Sequence, residues 1–306
     1  IRHLAQDVET GRLSRRRFTH ILIGLGLTAP MAAQVLGSAA GVVDAQPKEP
    51  AFTPRQRGGG GPLRTLWWQA PTLLNPHFAT GTKDIDASRV FYEPLVAYDP
   101  EGNLVPILAA EIPSMANGGI TKDGTAVTWR LKKGVRWHDG KPFTADDVVF
   151  TYEFVSDPGT AAVTVGSYRE VSRVDKVDSH AIKITFGRPQ PFWADAFCGN
   201  RGMILPKHVF ESFKGAKSRE APANLRPVGT GAYRITDFRP GDVVRAELNP
   251  TYHVPNWPFF DSFEMKGGGD AASAARAVLQ TGEFDYAWNP QVEDDILQRM
   301  EQGGKG

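Results

Sequence analysis

The sequence predicts an α/β fold built around a mixed sheet. Apolar and polar residues alternate, as in half-buried strands, at residues 127–131 and 181–186. A capped helix lies between these two segments, and strands and helices do not alternate regularly along the chain, as a purely parallel sheet would require. At 306 residues the chain is long enough for more than one domain.

Other segments extend this pattern in chain order. Residues 64–69 are predicted as the first strand, and residues 85–95 carry apolar side chains at the spacing of a helix packed on a sheet. Residues 231–239 and 243–248 form a predicted hairpin around the turn at 240–242, where the chain reads Pro-Gly-Asp. These elements belong to one mixed α/β lobe.

The segment at residues 131–154 contains the most specific pattern in the chain. It predicts a short strand, a tight Asp139–Gly140 turn and a helix whose N-cap is Thr144. Asp147 stands three positions after Thr144 and completes a capping box. The segment has neither a nucleophile–base pair nor a metal-ligand spacing, so it predicts structure and not chemistry.

Composition and motifs argue against catalysis, resident metals and nucleic-acid binding. The formal charge is +1, and residues 1–45 hold five of the 35 basic and three of the 34 acidic residues, which leaves −1 for the rest. The single cysteine, Cys198, cannot form an internal disulfide. No two histidines stand four residues apart, and no serine or cysteine has a hydrolase context. We therefore expect no enzyme activity, no cofactor and no metal site.

The N-terminal residues predict an export signal. Residues 14–18 read Ser-Arg-Arg-Arg-Phe, which fits the twin-arginine pattern, and residues 21–43 form an uncharged run. We interpret residues 1–45 as a cleaved twin-arginine signal peptide; the alternative is an uncleaved membrane anchor, because 23 uncharged residues can span a bilayer. Residues 46–62 are rich in proline, charge and glycine and predict a disordered linker.

Five segments, in this order along the chain, resemble one family, the solute-binding proteins that serve peptide and nickel ABC transporters. The segments are residues 73–113, 131–154, 189–211, 228–253 and 275–288. Together they cover nearly all of residues 63–289. The resemblance implies a two-lobe clamshell of the periplasmic-binding-protein kind.

The resemblance also implies the division of the chain. Residues 63–265 form the first lobe, with a subdomain inserted at about 82–187, and residues 266–306 begin a second lobe that is truncated. In this family the groups that pair with the charged termini of a peptide lie mostly in the second lobe, so we expect them beyond residue 306.

The resemblance implies six ligand-facing residues: Thr80, Gly81, Thr82, Tyr168, Trp288 and Asn289. The first three match a family loop that touches peptide backbone, and a plain surface turn is the alternative. Tyr168 falls near a family aromatic that reaches the ligand. Trp288 and Asn289 end a predicted second-lobe strand, where open α/β sheets expose ligand-facing residues, although Trp288 could equally be a packing side chain.

The function that follows is an exported, monomeric, non-catalytic receptor. It would capture a small solute, with peptide as the leading choice, outside the cytoplasm and deliver it to the membrane subunits of an ABC permease. The twin-arginine translocase would be its export partner. A nickel chelate, a sugar or another small solute remains an alternative ligand, and a membrane-tethered sensor or interaction protein is an alternative of another class.

Overall fold

The computed structural model describes residues 52–289 and 292–303, together with residues 12, 17, 18 and 21. The signal-peptide prediction therefore lies almost wholly outside the described residues. The regular elements are β1 (Pro62–Trp67), α1 (Thr82–Arg89), β2 (Val96–Tyr98), β3 (Leu104–Pro106), β4 (Ala126–Arg130), α2 (Ala145–Ser156), β5 (Val171–Asp178), β6 (Ala181–Phe186), α3 (Lys207–Phe210), β7 (Tyr233–Arg239), β8 (Val243–Leu248), β9 (Ser262–Gly267), α4 (Ala271–Leu279), β10 (Tyr286–Ala287) and α5 (Asp294–Gln302). Within these residues no helix is long and apolar enough to cross a bilayer.

The main sheet has five strands in the order β10-β1-β9-β8-β7. β1 runs parallel to β9 and β10, and β8 is antiparallel to β9 and β7, so the predicted mixed sheet is confirmed. The predicted hairpin is β7–β8, closed by a bond from the Asp242 amide to the Arg239 carbonyl. Gly241 between them has φ +80°, a conformation that glycine adopts without strain.

A second, antiparallel sheet in the order β4-β6-β5 carries α2 on one face. The sequence predicted β4 and β6 but not β5. α2 begins as predicted: the Thr144 hydroxyl accepts from the Asp146 amide at 3.3 Å, and the Asp147 carboxylate accepts from the Thr144 amide at 2.9 Å. Asp147 also accepts from the Lys207 amide at 2.9 Å, so one carboxylate holds the first turns of α2 and α3.

The helix predicted at residues 85–95 is shifted in the structure. α1 starts at Thr82 and ends at Arg89, and the chain then turns toward β2. Pro94 prevents the helix from continuing to residue 95, because proline lacks an amide donor and disfavours a helical conformation at the residue before it. Phe91 and Leu95, expected on a helix face, are still fully buried in the core.

The disordered linker predicted at residues 46–62 needs correction from residue 52 onward. The Arg57 guanidinium donates to four backbone carbonyls, at 2.6 Å for Tyr252 and Trp257, 3.2 Å for Val254, and also at Pro250. The Gly59 and Gly61 amides donate to the Asp261 carboxylate at 2.8 and 2.9 Å. This segment is therefore ordered against the lobe.

The glycine run at residues 58–61 packs closely against Phe259 and Asp261 because glycine has no side chain. A Cβ at Gly60 would lie 2.5 Å from the Phe259 ring, and one at Gly58 would lie 2.6 Å from Asp261. Composition predicted that this stretch has nothing to bury, whereas the backbone itself supplies the contact. Residues 46–51 lie outside the described part of the chain.

The hydrophobic core runs continuously from the main sheet into the β4-β6-β5 sheet and α2. A small separate cluster on the other face of β1 joins Leu66 to Ala274 of α4 and to Phe284. The helix and strand that follow β9 thus pack on β1 where the sequence predicted the second lobe to begin.

Candidate functional site

The parallel strands of the main sheet end at a common edge. β1 ends at Trp67 and β10 at Ala287, and a tryptophan follows each of them. The rings of Trp68 and Trp288 lie 5.8 Å apart with an interplanar angle of 63°. The Trp288 amide also donates to the Leu66 carbonyl at 2.9 Å. Because open α/β sheets bind ligands outside the carboxyl ends of their strands, this edge is the candidate site.

Trp288 and Asn289 therefore lie where the sequence predicted them, at the carboxyl end of a strand. Asn289 is exposed and has φ +51°, a left-handed conformation that asparagine tolerates better than most residues. Trp288 is half-buried and packs against the core as well as against Trp68. Ligand contact by these two residues stays a prediction, and for Trp288 a packing role is equally visible.

The predicted three-residue loop forms the beginning of α1. The Gly81 carbonyl accepts from the Asp84 and Ile85 amides, each at 3.0 Å, and so starts the helix. Thr80 and Thr82 are exposed on either side of it. Among the described residues neither hydroxyl has a hydrogen-bond partner, so both are available to a ligand.

The packing around residue 81 does not require a glycine there. Its φ of −107° is open to any residue, and a Cβ there would meet only the Lys83 side chain, at 3.8 Å. In contrast, a Cβ at Gly229 would lie 1.8 Å from the Phe91 carbonyl oxygen, and one at Gly231 would lie 2.6 Å from it. Those two glycines are required by packing, whereas the space above Gly81 is free for the close approach of another backbone.

Buried polar side chains hold the loop in place, and sequence reasoning missed them. The Asp84 carboxylate, 3% exposed, accepts from the Thr72 amide at 2.7 Å and from Lys83 Nζ at 2.8 Å. The Asn75 side-chain amide donates to the Asn224 side-chain oxygen at 2.8 Å. The sequence contains one signal of this arrangement, the Asn75–Pro76 pair, which favours a turn.

His77 joins the same loop to the segment that precedes Tyr168. Its Nδ1 lies 2.7 Å from the Thr164 hydroxyl, and its carbonyl accepts from the Val163 amide at 2.9 Å. Complete burial lowers the pKa of His77 to about 4, so the ring is neutral at physiological pH.

Tyr168 is placed differently from the other predicted site residues. Its ring is 2% exposed and meets Phe197 edge-on with centroids 5.2 Å apart. Its hydroxyl donates to the Arg201 carbonyl at 3.4 Å, and burial raises its pKa. This environment favours a packing role, and ligand contact by Tyr168 stays a prediction. The neighbouring Val163 and Val165 are instead exposed, by 47% and 38%.

Comparison with known proteins identifies the family. The profile of the bacterial extracellular solute-binding proteins, family 5 (middle), matches residues 103–305. This protein belongs to that family. The match spans the elements from β3 to α5, so it rests on most of the fold and not on one motif.

Curated and structural relatives agree with this assignment. The oligopeptide-binding protein AppA of Bacillus subtilis is 30% identical over 242 residues, which are 78% of this chain and 42% of AppA. The structure of AppA in complex with a nonapeptide superposes with a TM-score of 0.71 at 26% identity, covering 82% of this chain and 47% of AppA. NikZ of Campylobacter jejuni, solved with Ni(L-His), gives 0.62 at 25% identity over 72% of this chain and 42% of NikZ.

This family 5 chain thus spans less than half the length of the relatives it matches. The predicted clamshell fold class is confirmed by the structural relatives, and the chain supplies the mixed α/β part described above.

One cavity lies away from the strand edge formed by Trp68 and Trp288. Its volume is about 250 Å³, and its lining includes Leu63 and Phe263, near the amino ends of β1 and β9. Glu93 borders it and accepts from the Thr230 hydroxyl and the Tyr252 hydroxyl, each at 2.8 Å. This network joins the segment after α1 to the segments on either side of the β7–β8 hairpin, so it is a packing feature.

Groups suited to metal or nucleophilic chemistry are not assembled in the part of the chain that the structure describes. No cluster of three or more His, Cys, Asp or Glu side chains could hold a metal ion there. Burial raises the pKa of the Cys198 thiol to about 12, which keeps it protonated and unreactive.

Proposed function

We propose that this protein is an exported receptor that captures peptides outside the cytoplasm and delivers them to an ABC permease without catalysing a reaction. The observation that carries the proposal is the Thr80–Thr82 loop, whose two hydroxyls are free and whose Gly81 has unfilled space above it, on a fold shared with an oligopeptide-binding protein.

The geometry at Gly81 supports a ligand with an extended backbone. Main-chain pairing lets a receptor bind peptides with little regard to their side chains, and it requires close approach of two backbones. A glycine whose Cβ position is open to solvent permits that approach. The exposed Val163 and Val165 add an apolar surface suited to an aliphatic or aromatic ligand side chain.

A nickel chelate is the second candidate ligand. The similarity to NikZ, which was solved with Ni(L-His), favours it. The two ligands differ in what they require, because a peptide would engage the backbone at Gly81, whereas a compact chelate has no extended backbone to pair with it.

Calorimetry on the full-length protein tests both candidates. We would titrate a panel of tetra- to nonapeptides and, separately, Ni(L-His) into the parent protein, Gly81→Ala and the control Gly187→Ala, whose Cβ would meet Ser172 at an ordinary 3.4 Å. We expect Gly81→Ala to weaken peptide binding about tenfold, equal to about 1.4 kcal/mol, and the control to match the parent.

Three results would be decisive for the ligand. Binding of Ni(L-His) without any peptide would replace the peptide assignment by the chelate. Binding of neither class would contradict the receptor proposal. Peptide binding that Gly81→Ala leaves unchanged would keep the receptor and remove the loop from its site.

Export by the twin-arginine route, a cleaved leader and a monomeric state complete the proposal. The family description as extracellular supports a location outside the cytoplasm. The mass of the exported protein distinguishes the alternatives, because a retained N-terminal segment would favour the membrane-tethered sensor or interaction protein.

A further inference from the structure

One buried histidine connects two surface segments of the candidate site. His77 is fully buried, three residues before Thr80. Its carbonyl accepts from the Val163 amide at 2.9 Å, its Nδ1 contacts the Thr164 hydroxyl at 2.7 Å, and its Nε2 contacts the Met203 carbonyl at 2.9 Å. The loop before α1, the segment before Tyr168 and the strand-like segment at 203 therefore meet at this one ring.

The partners of the ring define its tautomer. The Met203 carbonyl can only accept, so Nε2 carries the proton and donates to it. Nδ1 is then the acceptor of a hydrogen bond that the Thr164 hydroxyl donates. Both nitrogens are satisfied by the neutral imidazole, and its burial, which lowers the pKa of His77 to about 4, keeps it in that form.

The two segments that His77 joins are exposed where they leave it. Val163 and Val165 are 47% and 38% exposed, while Thr164 between them is buried against His77. On the other side, Thr80 is exposed and Gly81 begins α1. The Arg219 guanidinium covers the Phe78 ring at 3.8 Å and further restrains the residue after His77.

We propose that His77 is a positioning residue, which holds Val163 and Val165 at a fixed place beside the Thr80–Thr82 loop so that both segments form one rigid ligand-facing wall. The inference rests on the proposed function, because it assigns the wall to the same ligand. A preformed wall raises affinity, since the ordering of its segments is complete before the ligand arrives.

Two threonines in one segment provide a matched pair of variants. Thr164→Val removes the hydroxyl that donates to His77 and preserves the shape of the side chain. Thr160→Val makes the same chemical change four residues earlier, at a side chain that is 1% exposed and whose hydroxyl has no hydrogen-bond partner among the described residues. Any general effect of the substitution on packing should appear in both variants.

The first measurement is peptide affinity, by calorimetry on the full-length protein with the tightest-binding peptide of the panel. We expect Thr164→Val to bind about tenfold more weakly, equal to about 1.4 kcal/mol, and Thr160→Val to bind within about twofold of the parent. A purely structural role would lower the melting temperature of Thr164→Val and leave the affinity of the folded protein unchanged, which would overturn the proposal.

The second measurement needs no ligand. Hydrogen–deuterium exchange should become faster in Thr164→Val at the Val163 amide and at residues 78–82 together, and should be unchanged at both places in Thr160→Val. Faster exchange at only one segment, or none, would show that His77 does not couple them. If the parent binds no peptide, the receptor proposal fails and the ligand-facing role of His77 fails with it, whereas the exchange result still decides the coupling.

Discussion

Asp147 stabilises the first turns of two helices at once, and its replacement by alanine should therefore cost far more than the loss of one helix cap. The carboxylate is 4% exposed and accepts from the Thr144 and Lys207 amides, each at 2.9 Å, and from the Trp137 indole at 3.3 Å. In Asp147→Ala these donors lose their acceptor, the indole in a buried site and the two amides in partly buried ones.

The magnitude follows from these three bonds. A hydrogen bond to a charged group contributes about 1.5 kcal/mol or more, so the two short backbone bonds and the longer indole bond together predict a loss of about 4 kcal/mol in the free energy of unfolding. Thr144→Ala removes a single bond of 3.3 Å and should cost about 1 kcal/mol. Asp146→Ala is the matched control, because that carboxylate forms only an exposed pair with Lys176 and should cost less than about 1 kcal/mol.

Urea unfolding followed by circular dichroism, on the parent and the three variants, measures these differences. Ligand affinity of the folded Thr144→Ala protein should stay at the parental value, because the capped first turn of α2 contains none of the predicted ligand-contacting residues. A loss for Asp147→Ala no larger than that for Thr144→Ala would refute the shared-cap argument.

Three further predictions concern pH, packing and export. Burial lowers the pKa of His77 and of His138 to about 4. The unfolded chain therefore binds more protons than the folded one between pH 6.5 and 4. The free energy of unfolding should fall as the pH falls through this window, by up to about 3 kcal/mol per histidine. Urea titrations at pH 7 and 4.5 test this, and a His138→Asn variant with an undiminished pH slope would contradict it. Gly229→Ala should destabilise by about 3 kcal/mol or prevent folding, because its Cβ would lie 1.8 Å from a carbonyl oxygen; a melting temperature equal to that of the parent would refute this packing argument. Changing Arg15 and Arg16 to lysine should abolish export of a reporter fused after the leader, and undiminished export would exclude the twin-arginine route.

Local signals explain which elements the sequence alone could predict. The start of α2 depends on a side chain three residues from the group it caps, and the β7–β8 turn depends on one glycine with positive φ. β4 and β6 show the alternation of a sheet with one buried face. Such interactions act within a few residues, so they are readable from the order of the amino acids. The prediction of a ligand-facing loop at Thr80–Thr82 came from family resemblance, and the structure adds that the space above Gly81 is open.

The tertiary structure alone decided which distant segments meet. β1 pairs in parallel with β9 and β10, both more than half the chain away, and this pairing brings Trp68 against Trp288. The same holds for His77 with Thr164, for the docked glycine run, and for the burial of Tyr168, whose neighbours in sequence give no sign of its environment. No periodicity encodes such partners, because a strand or a buried polar group can satisfy its hydrogen bonds with any complementary segment, and only the packing of the whole core selects one.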